Sequence, residues 1–184
     1  MSATPHPSLR QQPPSRWRRH QARAPLAIPP PWRSWLLEQG SLTKRLVAAS
    51  GGEFRVQILA QALRRPLPEE RAALGLPERQ VALVREVLLL GRGEPWVYAR
   101  SVVPLAVLRG RYGFLLRLGT KPLGALLFRD AGIRRGAIEV TQRMPPRFLP
   151  QTPDDPLAWV RRSVFYLDQQ PLLVAEMFLP GFRP

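Results

Sequence analysis

The chain has 184 residues with no cysteine and two histidines, and 28 lysines and arginines against 13 acidic residues give it a net charge of +15. The absence of cysteine excludes disulfides, thiol nucleophiles and thiolate zinc sites, and both histidines lie within the first 20 residues, so a histidine-based triad or metal site would need the N-terminal tail. Any chemistry in the rest of the chain is therefore expected to use carboxylates, arginines, hydroxyls and backbone amides.

Residues 1–31 form a region of distinct composition, which is rich in proline and arginine and contains no acidic residue. Prolines interrupt helices and the segment has little apolar surface to bury, so we expect it to be disordered or PPII-like and the domain to span residues 32–184. A solvated extension is the favoured interpretation. Targeting, or binding to nucleic acid, a membrane or a partner, are the alternatives. The sequence contains no run of about 20 apolar residues, so no transmembrane helix is predicted.

The predicted domain begins with two short helices and continues into strands. Apolar spacing predicts one helix on each side of Gly40, with Ser41 as the N-cap of the second. Residues 53–59 alternate between polar and apolar side chains, which predicts a half-buried strand. Residues 80–90 and 96–103 are β-rich runs around a five-residue Gly/Pro loop, which is typical of a β-hairpin.

The C-terminal half contains further helices and a second hairpin. Helical spacing predicts helices within residues 107–118 and 121–128, and a short strand follows at residues 137–142. The second hairpin has its arms at residues 158–167 and 172–179. Neighbouring strands are joined mostly by turns too short for parallel crossovers. The chain is therefore predicted to be a single α+β domain with a six-stranded antiparallel sheet.

Two charged residues lie within apolar strands. Because strand side chains alternate between faces, Arg85 and Glu176 each share a face with apolar neighbours, and an unpaired charge in such surroundings is costly. One interpretation pairs Arg85 with Glu86, Glu94 or Glu176 in a structural salt bridge, or turns it toward solvent. The other makes Arg85 the receptor of a ligand carboxylate and Glu176 the acceptor of a ligand hydroxyl in one pocket.

Four other pairs of charged residues are expected at the surface. Glu69-Glu70 and Asp154-Asp155 lie beside prolines, which favours solvated loops over catalysis or metal binding. Arg134-Arg135 and Arg161-Arg162 could contact phosphates, but no helix concentrates them. A solvated face is the favoured interpretation for both arginine pairs.

Blocks of the sequence provide a more specific hypothesis. They are GSLTKRL at residues 40–46, VREVLLL with GEPWVYARSVVP within residues 84–104, LGTKPLG at residues 118–124, WVRRS at residues 159–163 and LLVAEMFLP at residues 172–180. In this order and spacing they resemble the chorismate pyruvate-lyase family from about Trp32 to Phe182.

The resemblance implies both a fold and a reaction. The fold is an antiparallel sheet with short helices on one side, some of which form flaps over a buried ligand site. The reaction removes pyruvate from chorismate and leaves 4-hydroxybenzoate for ubiquinone biosynthesis, without a cofactor or metal. The implied protein is a cytoplasmic lyase, expected to be a monomer that requires no nucleic acid. The alternative is a non-catalytic domain of the same fold that senses a small aromatic carboxylate.

The resemblance also assigns roles to four residues of this chain. Arg85 corresponds to the arginine that binds the ring carboxylate, and Glu176 to the glutamate that meets the 4-hydroxyl group. Leu42 and Leu123 correspond to positions whose backbone amides help to hold the carboxylate. Methionine is common in the family at position 42, so the leucine is expected to alter packing over the ring and to preserve the backbone contact.

Overall fold

The computed structural model describes residues 17–19, 27–146, 148–149 and 157–184. Its strands are β1 (Arg18–Arg19), β2 (Phe54–Arg64), β3 (Ala82–Gly91), β4 (Glu94–Pro104), β5 (Arg134–Arg135), β6 (Glu139–Arg143), β7 (Ala158–Leu167) and β8 (Gln170–Phe178). They form one antiparallel sheet in the order β1-β6-β7-β8-β4-β3-β2, and β5 also pairs with β7.

Short helices connect and cover these strands. They are α1 (Pro30–Leu36), α2 (Leu42–Ala49), α3 (Pro68–Leu74), α4 (Leu105–Leu108), a 3₁₀ helix (Gly113–Arg117) and α5 (Leu123–Leu127). Among the described residues, no helix combines the length and the apolar character that crossing a bilayer requires. The α+β architecture and the antiparallel sheet are confirmed.

The sheet has eight strands, so the predicted number of six is wrong. The two additional strands are β1 and β5, each an Arg-Arg pair of two residues. Two residues are too few to show the alternation by which a strand is recognised in a sequence.

Both predicted hairpins are confirmed, with shorter turns than expected. Between β3 and β4 the turn residues are Arg92 and Gly93, with φ of 52° and 81°. Between β7 and β8 they are Asp168 and Gln169, with φ of 47° and 67°. Two positive φ values in succession are the mark of a type I′ turn, whose twist matches that of the flanking strands.

One face of the sheet is covered by α1, α2, α4, the 3₁₀ helix and α5, and we call it the helical face. Leu36, Leu42 and Leu46 are at most 1% exposed and pack against β3, β4 and β8 through residues such as Val87 and Phe178. Fully burying such side chains stabilises a fold by about 1.5–3 kcal/mol each. Helices as short as these depend on this packing, because isolated helices of their length are marginal in water.

The opposite face carries α3, a helix that the sequence analysis missed. Glu70 lies in its first turn, is buried, and accepts hydrogen bonds from Arg100 Nε and Nη2 at 2.6 and 3.1 Å. The expected solvated loop at residues 69–70 is therefore wrong, since a proline is well suited to the first turn of a helix. The Asp154-Asp155 pair lies outside the described residues.

Parts of the segment at residues 1–31 contact the domain. β1 pairs with β6, Ile28 is buried in the core beside α1, and α1 itself begins at Pro30. The prolines at the start of α1 occupy the positions where a helix tolerates them, so this run starts a helix. The remainder of the segment lies outside the described residues.

Candidate active site

Arg85 lies in the middle of β3 on the helical face and is 4% exposed. Its Nη2 donates to the carbonyl oxygens of Gly119 and Lys121 at 2.9 and 3.2 Å, and its buried Nη1 has no hydrogen-bond partner. Burial lowers the pKa of the guanidinium. The structural salt bridge considered for Arg85 is not found among the described residues, so the side chain is a buried cation with a free donor.

The first turns of α2 and α5 approach each other beside this region. A Cβ atom at Gly124 would lie 3.0 Å from Oγ1 of Thr43, which shows how closely the two helices meet. Leu42 and Leu123 are the first residues of these helices, and amides at that position have no acceptor within their own helix. Lys121, whose carbonyl binds Arg85, lies two residues before Leu123.

Glu176 lies on the same face of the sheet, two strands away from Arg85. The register pairs Arg85 with Ser101 and Ser101 with Val174, two residues before Glu176. With strands about 4.8 Å apart and a rise of about 3.4 Å per residue, the Cα atoms of Arg85 and Glu176 are roughly 12 Å apart. This separation is one that two side chains with a small ring between them can span.

Arg161 holds Glu176 in place. The Nε of Arg161 donates to Oε2 of Glu176 at 2.7 Å, and Arg161 is only 1% exposed. The other carboxylate oxygen, Oε1, accepts no hydrogen bond from the described residues. The pairing fixes the orientation of Glu176, while Oε1 is left to accept a hydrogen bond.

Arg161 and Arg135 also bind the end of α1 and the segment that joins it to α2. Arg161 Nη1 donates to the carbonyl oxygens of Trp35 and Glu38 at 2.9 and 3.2 Å. Arg135 Nη1 donates to those of Glu38 and Gln39 at 2.9 and 3.2 Å. Two side chains of the sheet therefore hold α1 and α2 down on the helical face.

The solvated face expected for the two arginine pairs is largely wrong. Arg161 and Arg162 are 1% and 8% exposed and face opposite sides of the sheet, where Arg162 pairs with Glu139 at 2.7 Å. Arg134 is exposed and Arg135 half-buried. The signal was in the sequence, because two adjacent charges in an apolar strand must place one of them on each face.

Two flaps cover the helical face. The first flap consists of residues 30–49, with α1 and α2, and the second of residues 113–127, with the 3₁₀ helix and α5. A crevice of about 840 Å³ opens between them. Its walls include Ser41, Thr43, Lys44, Thr120, Pro122 and Ala125. Arg85 does not line the crevice, but Thr120 and Pro122 flank Lys121, whose carbonyl oxygen accepts a hydrogen bond from Arg85.

A second cavity, of about 660 Å³, lies on the opposite face between α3, Trp17 and the sheet. Its walls carry Arg100 and Tyr98, and neither Arg85 nor Glu176 lines it. Arg100 also donates to Glu86 at 2.9 Å, and Tyr98 donates to the same carboxylate. Burial, and then Glu86, raise the pKa of Tyr98. The described residues contain no group of three or more side chains suited to hold a metal ion.

Comparison with known proteins decides the family. The model of the chorismate lyase family matches residues 15–182. The chain belongs to the chorismate lyase family. A probable chorismate pyruvate-lyase of Thiobacillus denitrificans is 44% identical over 172 residues, covering 90% of this chain and 89% of that relative. Another, of Pseudomonas aeruginosa, is 42% identical over 155 residues, covering 84% and 86%.

The structural likeness of this chorismate lyase family member extends to other proteins. A transcriptional regulator of the GntR family from Bacillus cereus has a TM-score of 0.56 at 17% identity, covering 72% of this chain and 95% of that chain. At this level of identity the likeness shows the fold alone. The family match begins at residue 15, well before the boundary expected at residue 32, and so includes the strand β1.

Proposed function

We propose that this protein is a chorismate pyruvate-lyase whose site is the helical face beneath the two flaps. Membership of the chorismate lyase family supports the reaction. The observation that carries the location is the buried Nη1 of Arg85, which has no partner and lies across the sheet from the fixed carboxylate of Glu176. Both residues come from one chain, in keeping with a monomeric cytoplasmic enzyme.

The ring carboxylate of chorismate binds Arg85 in this proposal. A guanidinium that is already held by two carbonyls loses little freedom when its remaining donors take up an oxygen. The amides of Leu42 and Leu123 add donors from the two flaps, so the bound carboxylate connects the sheet to both. The anion also offsets the positive charge that burial disfavours at Arg85.

Glu176 accepts a hydrogen bond from the 4-hydroxyl group of chorismate. The reaction breaks the bond between C3 and the ether oxygen and removes a proton from C4, so the ring becomes aromatic. The electron pair of the broken C–O bond leaves with the enolpyruvate, whose methylene carbon takes up a proton to give pyruvate. Glu176 orients the C4 centre for this elimination. Its pairing with Arg161 through Oε2 holds the carboxylate in place and leaves Oε1 to accept this hydrogen bond.

Closure of the flaps over the ring strengthens these contacts. Excluding water lowers the local dielectric, so a carboxylate held by Arg85 is bound more tightly than it would be in solution. The same contacts hold 4-hydroxybenzoate, which keeps the ring carboxylate and the hydroxyl group. Slow release of the product is therefore an expected property of this site.

A turnover measurement tests the proposal. The purified full-length protein is incubated with chorismate, and 4-hydroxybenzoate and pyruvate are quantified against a blank without protein. We expect equal amounts of the two products at a rate proportional to the protein concentration. A protein that binds 4-hydroxybenzoate at micromolar concentration without any turnover would instead be the sensing domain considered as the alternative.

A further inference from the structure

We propose that Arg135 binds the second carboxylate of chorismate, that of the enolpyruvyl group, and so distinguishes the substrate from the product. This inference rests on the proposed function, since it concerns the other end of the same substrate. It gives a role to a charged side chain that the family resemblance left unassigned. Arg135 would thereby determine specificity for the dianionic substrate.

The charge of Arg161 is already neutralised by Glu176. Arg135 is therefore the cation at this end of the site that can bind a ligand carboxylate. Arg161 forms its ion pair with Glu176 at 2.7 Å and gives Nη1 to two backbone carbonyls. Arg135 lies close enough to both charges to interact with them electrostatically. These three side chains carry a net charge of +1, and the carboxylate of Glu38, which also acts electrostatically on Arg135, is paired with Arg45 at 3.4 Å.

Arg135 has only neutral partners among the described residues. Its Nε donates to Oγ of Ser163 at 2.9 Å, and its Nη1 donates to the carbonyl oxygens of Glu38 and Gln39. Its Nη2 makes no hydrogen bond within the described part of the chain. The guanidinium is therefore held in place by one edge while its remaining nitrogen is left to bind a ligand.

The surroundings of Arg135 favour an anion. The guanidinium lies near the rings of Phe128 and Phe165, 5.7 and 5.4 Å from their centroids, and is half-buried. Burial, followed by the nearby charge of Arg161, lowers the pKa of Arg135 to about 10. The side chain stays charged at neutral pH, and a bound carboxylate would relieve the cost of holding that charge there.

The order of the residues across the sheet matches the order of groups in chorismate. Paired positions run from Arg85 through β4 and β8 to Ser163 on β7, to which Arg135 is hydrogen-bonded. Three strand spacings separate the Cα atoms of Arg85 and Ser163 by about 14 Å. Glu176 lies on β8, between the two arginines.

The substrate fits this order when its ring carboxylate is on Arg85 and its 4-hydroxyl on Glu176. The enolpyruvyl ether is on C3, next to the carbon that bears the hydroxyl, so its carboxylate lies at the Glu176 end of the ring, on the side of Arg135. 4-Hydroxybenzoate has no second carboxylate. Arg135 should therefore contribute far more to binding chorismate than to binding the product, to which it contributes only by holding the first flap.

Steady-state kinetics and product binding of Arg135→Gln test this inference. We expect KM for chorismate to rise at least tenfold, while the Kd of 4-hydroxybenzoate stays within twofold of the wild-type value. Arg135→Lys, which keeps the charge, should recover part of the loss in KM. Arg134→Gln is the matched control, because Arg134 is adjacent and exposed, and its kinetics should be those of the wild type.

Equal weakening of substrate and product by Arg135→Gln would overturn the inference, because it would show that Arg135 only holds the first flap. Unchanged kinetics would overturn it as well. A measurement on the wild-type protein avoids any failure of the variants to fold. 3-Carboxymethoxy-4-hydroxybenzoate should bind at least tenfold more tightly than its 3-methoxy counterpart, and equal or weaker binding would contradict the inference. Absence of chorismate turnover would count against the proposed function alone.

Discussion

Arg161 and Glu176 lie directly opposite each other on β7 and β8 and form an ion pair with 2.7 Å between Nε and Oε2. Arg85, the other residue expected in the site, has no such partner. The two therefore differ in what a ligand must supply. Glu176 is a fixed hydrogen-bond acceptor, whereas Arg85 is a buried cation whose anionic partner must come from the ligand.

Replacing Arg85 should weaken ligand binding without harming the fold. Hydrogen bonds to charged groups contribute about 1.5–3 kcal/mol, so Arg85→Met should weaken 4-hydroxybenzoate binding roughly ten- to hundredfold, measured by isothermal titration calorimetry. Its melting temperature should equal or exceed that of the wild type, because an unpaired buried charge is removed.

Arg100→Met is the comparison for stability, since Arg100 is buried on the same sheet but holds Glu70 and Glu86. Glu86 would keep only the more distant Arg64 as a cation, at 3.9 Å, and the buried Glu70 would lose its ion pair with Arg100, which should cost about 3–5 kcal/mol. A larger loss of stability in Arg85→Met than in Arg100→Met would contradict the assignment of Arg85 to ligand binding.

Glu176→Gln should reduce turnover at least tenfold, because it removes the ionised acceptor from the C4 centre while preserving its shape. The variant should also lose stability, since it weakens the partner of the buried Arg161. Glu139→Gln is a matched control. Glu139 pairs with Arg162 at the same distance of 2.7 Å on the opposite face, so it should lose stability and keep its turnover. Equal turnover in the two variants would remove Glu176 from the site.

Gly124→Ala should separate the two flaps. The added Cβ would be 3.0 Å from Oγ1 of Thr43, so the Thr43 side chain or its helix must give way by a few tenths of an ångström. We expect faster release and weaker binding of 4-hydroxybenzoate, measured by stopped-flow fluorescence. Thr43→Ala removes the obstructing oxygen, so the double variant should recover the wild-type release rate. A double variant no better than Gly124→Ala would show that the contact does not control closure.

Tyr98 should make the fold less stable at high pH. Burial, and then Glu86, raise its pKa in the folded protein, so above pH ~10 the unfolded chain loses a proton that the folded protein retains. The free energy of unfolding should then fall by up to about 1.4 kcal/mol per pH unit. Urea unfolding at pH 9 and 11 should show a shallower fall in Tyr98→Phe, and identical slopes would contradict this account.

The alternation of side chains singled out two residues of the candidate site, and their proposed roles came from the family resemblance. It placed Arg85 and Glu176 on apolar faces of the correct strands, and both hairpins followed from their turn residues. It did not show that the face of β3 with Arg85 and the face of β8 with Glu176 belong to the same side of the sheet. That depends on the pairing of β4 with β8, which lie far apart in the sequence, and no local pattern encodes such a pairing.

The partner of Glu176 was missed for a local reason. A two-residue turn at Asp168 and Gln169 sets the register that places Arg161 opposite Glu176. The turn was predicted to be four residues long, and the sequence carries no sign of the shorter turn, since neither residue is a glycine and positive φ is unusual for other side chains. The helix α3 was missed similarly, since the prolines before residues 69–70 were interpreted only as loop residues.

A crystal structure of the protein with 4-hydroxybenzoate tests the central claim most directly. The account predicts one product molecule beneath the two flaps, with its carboxylate within 3.2 Å of Arg85 Nη1, a hydrogen-bond distance, and its hydroxyl group donating to Glu176. The side of the ring next to the hydroxyl should face Arg135. A product molecule bound only in the cavity between α3 and the opposite face, with Arg85 still unpartnered, would contradict the account.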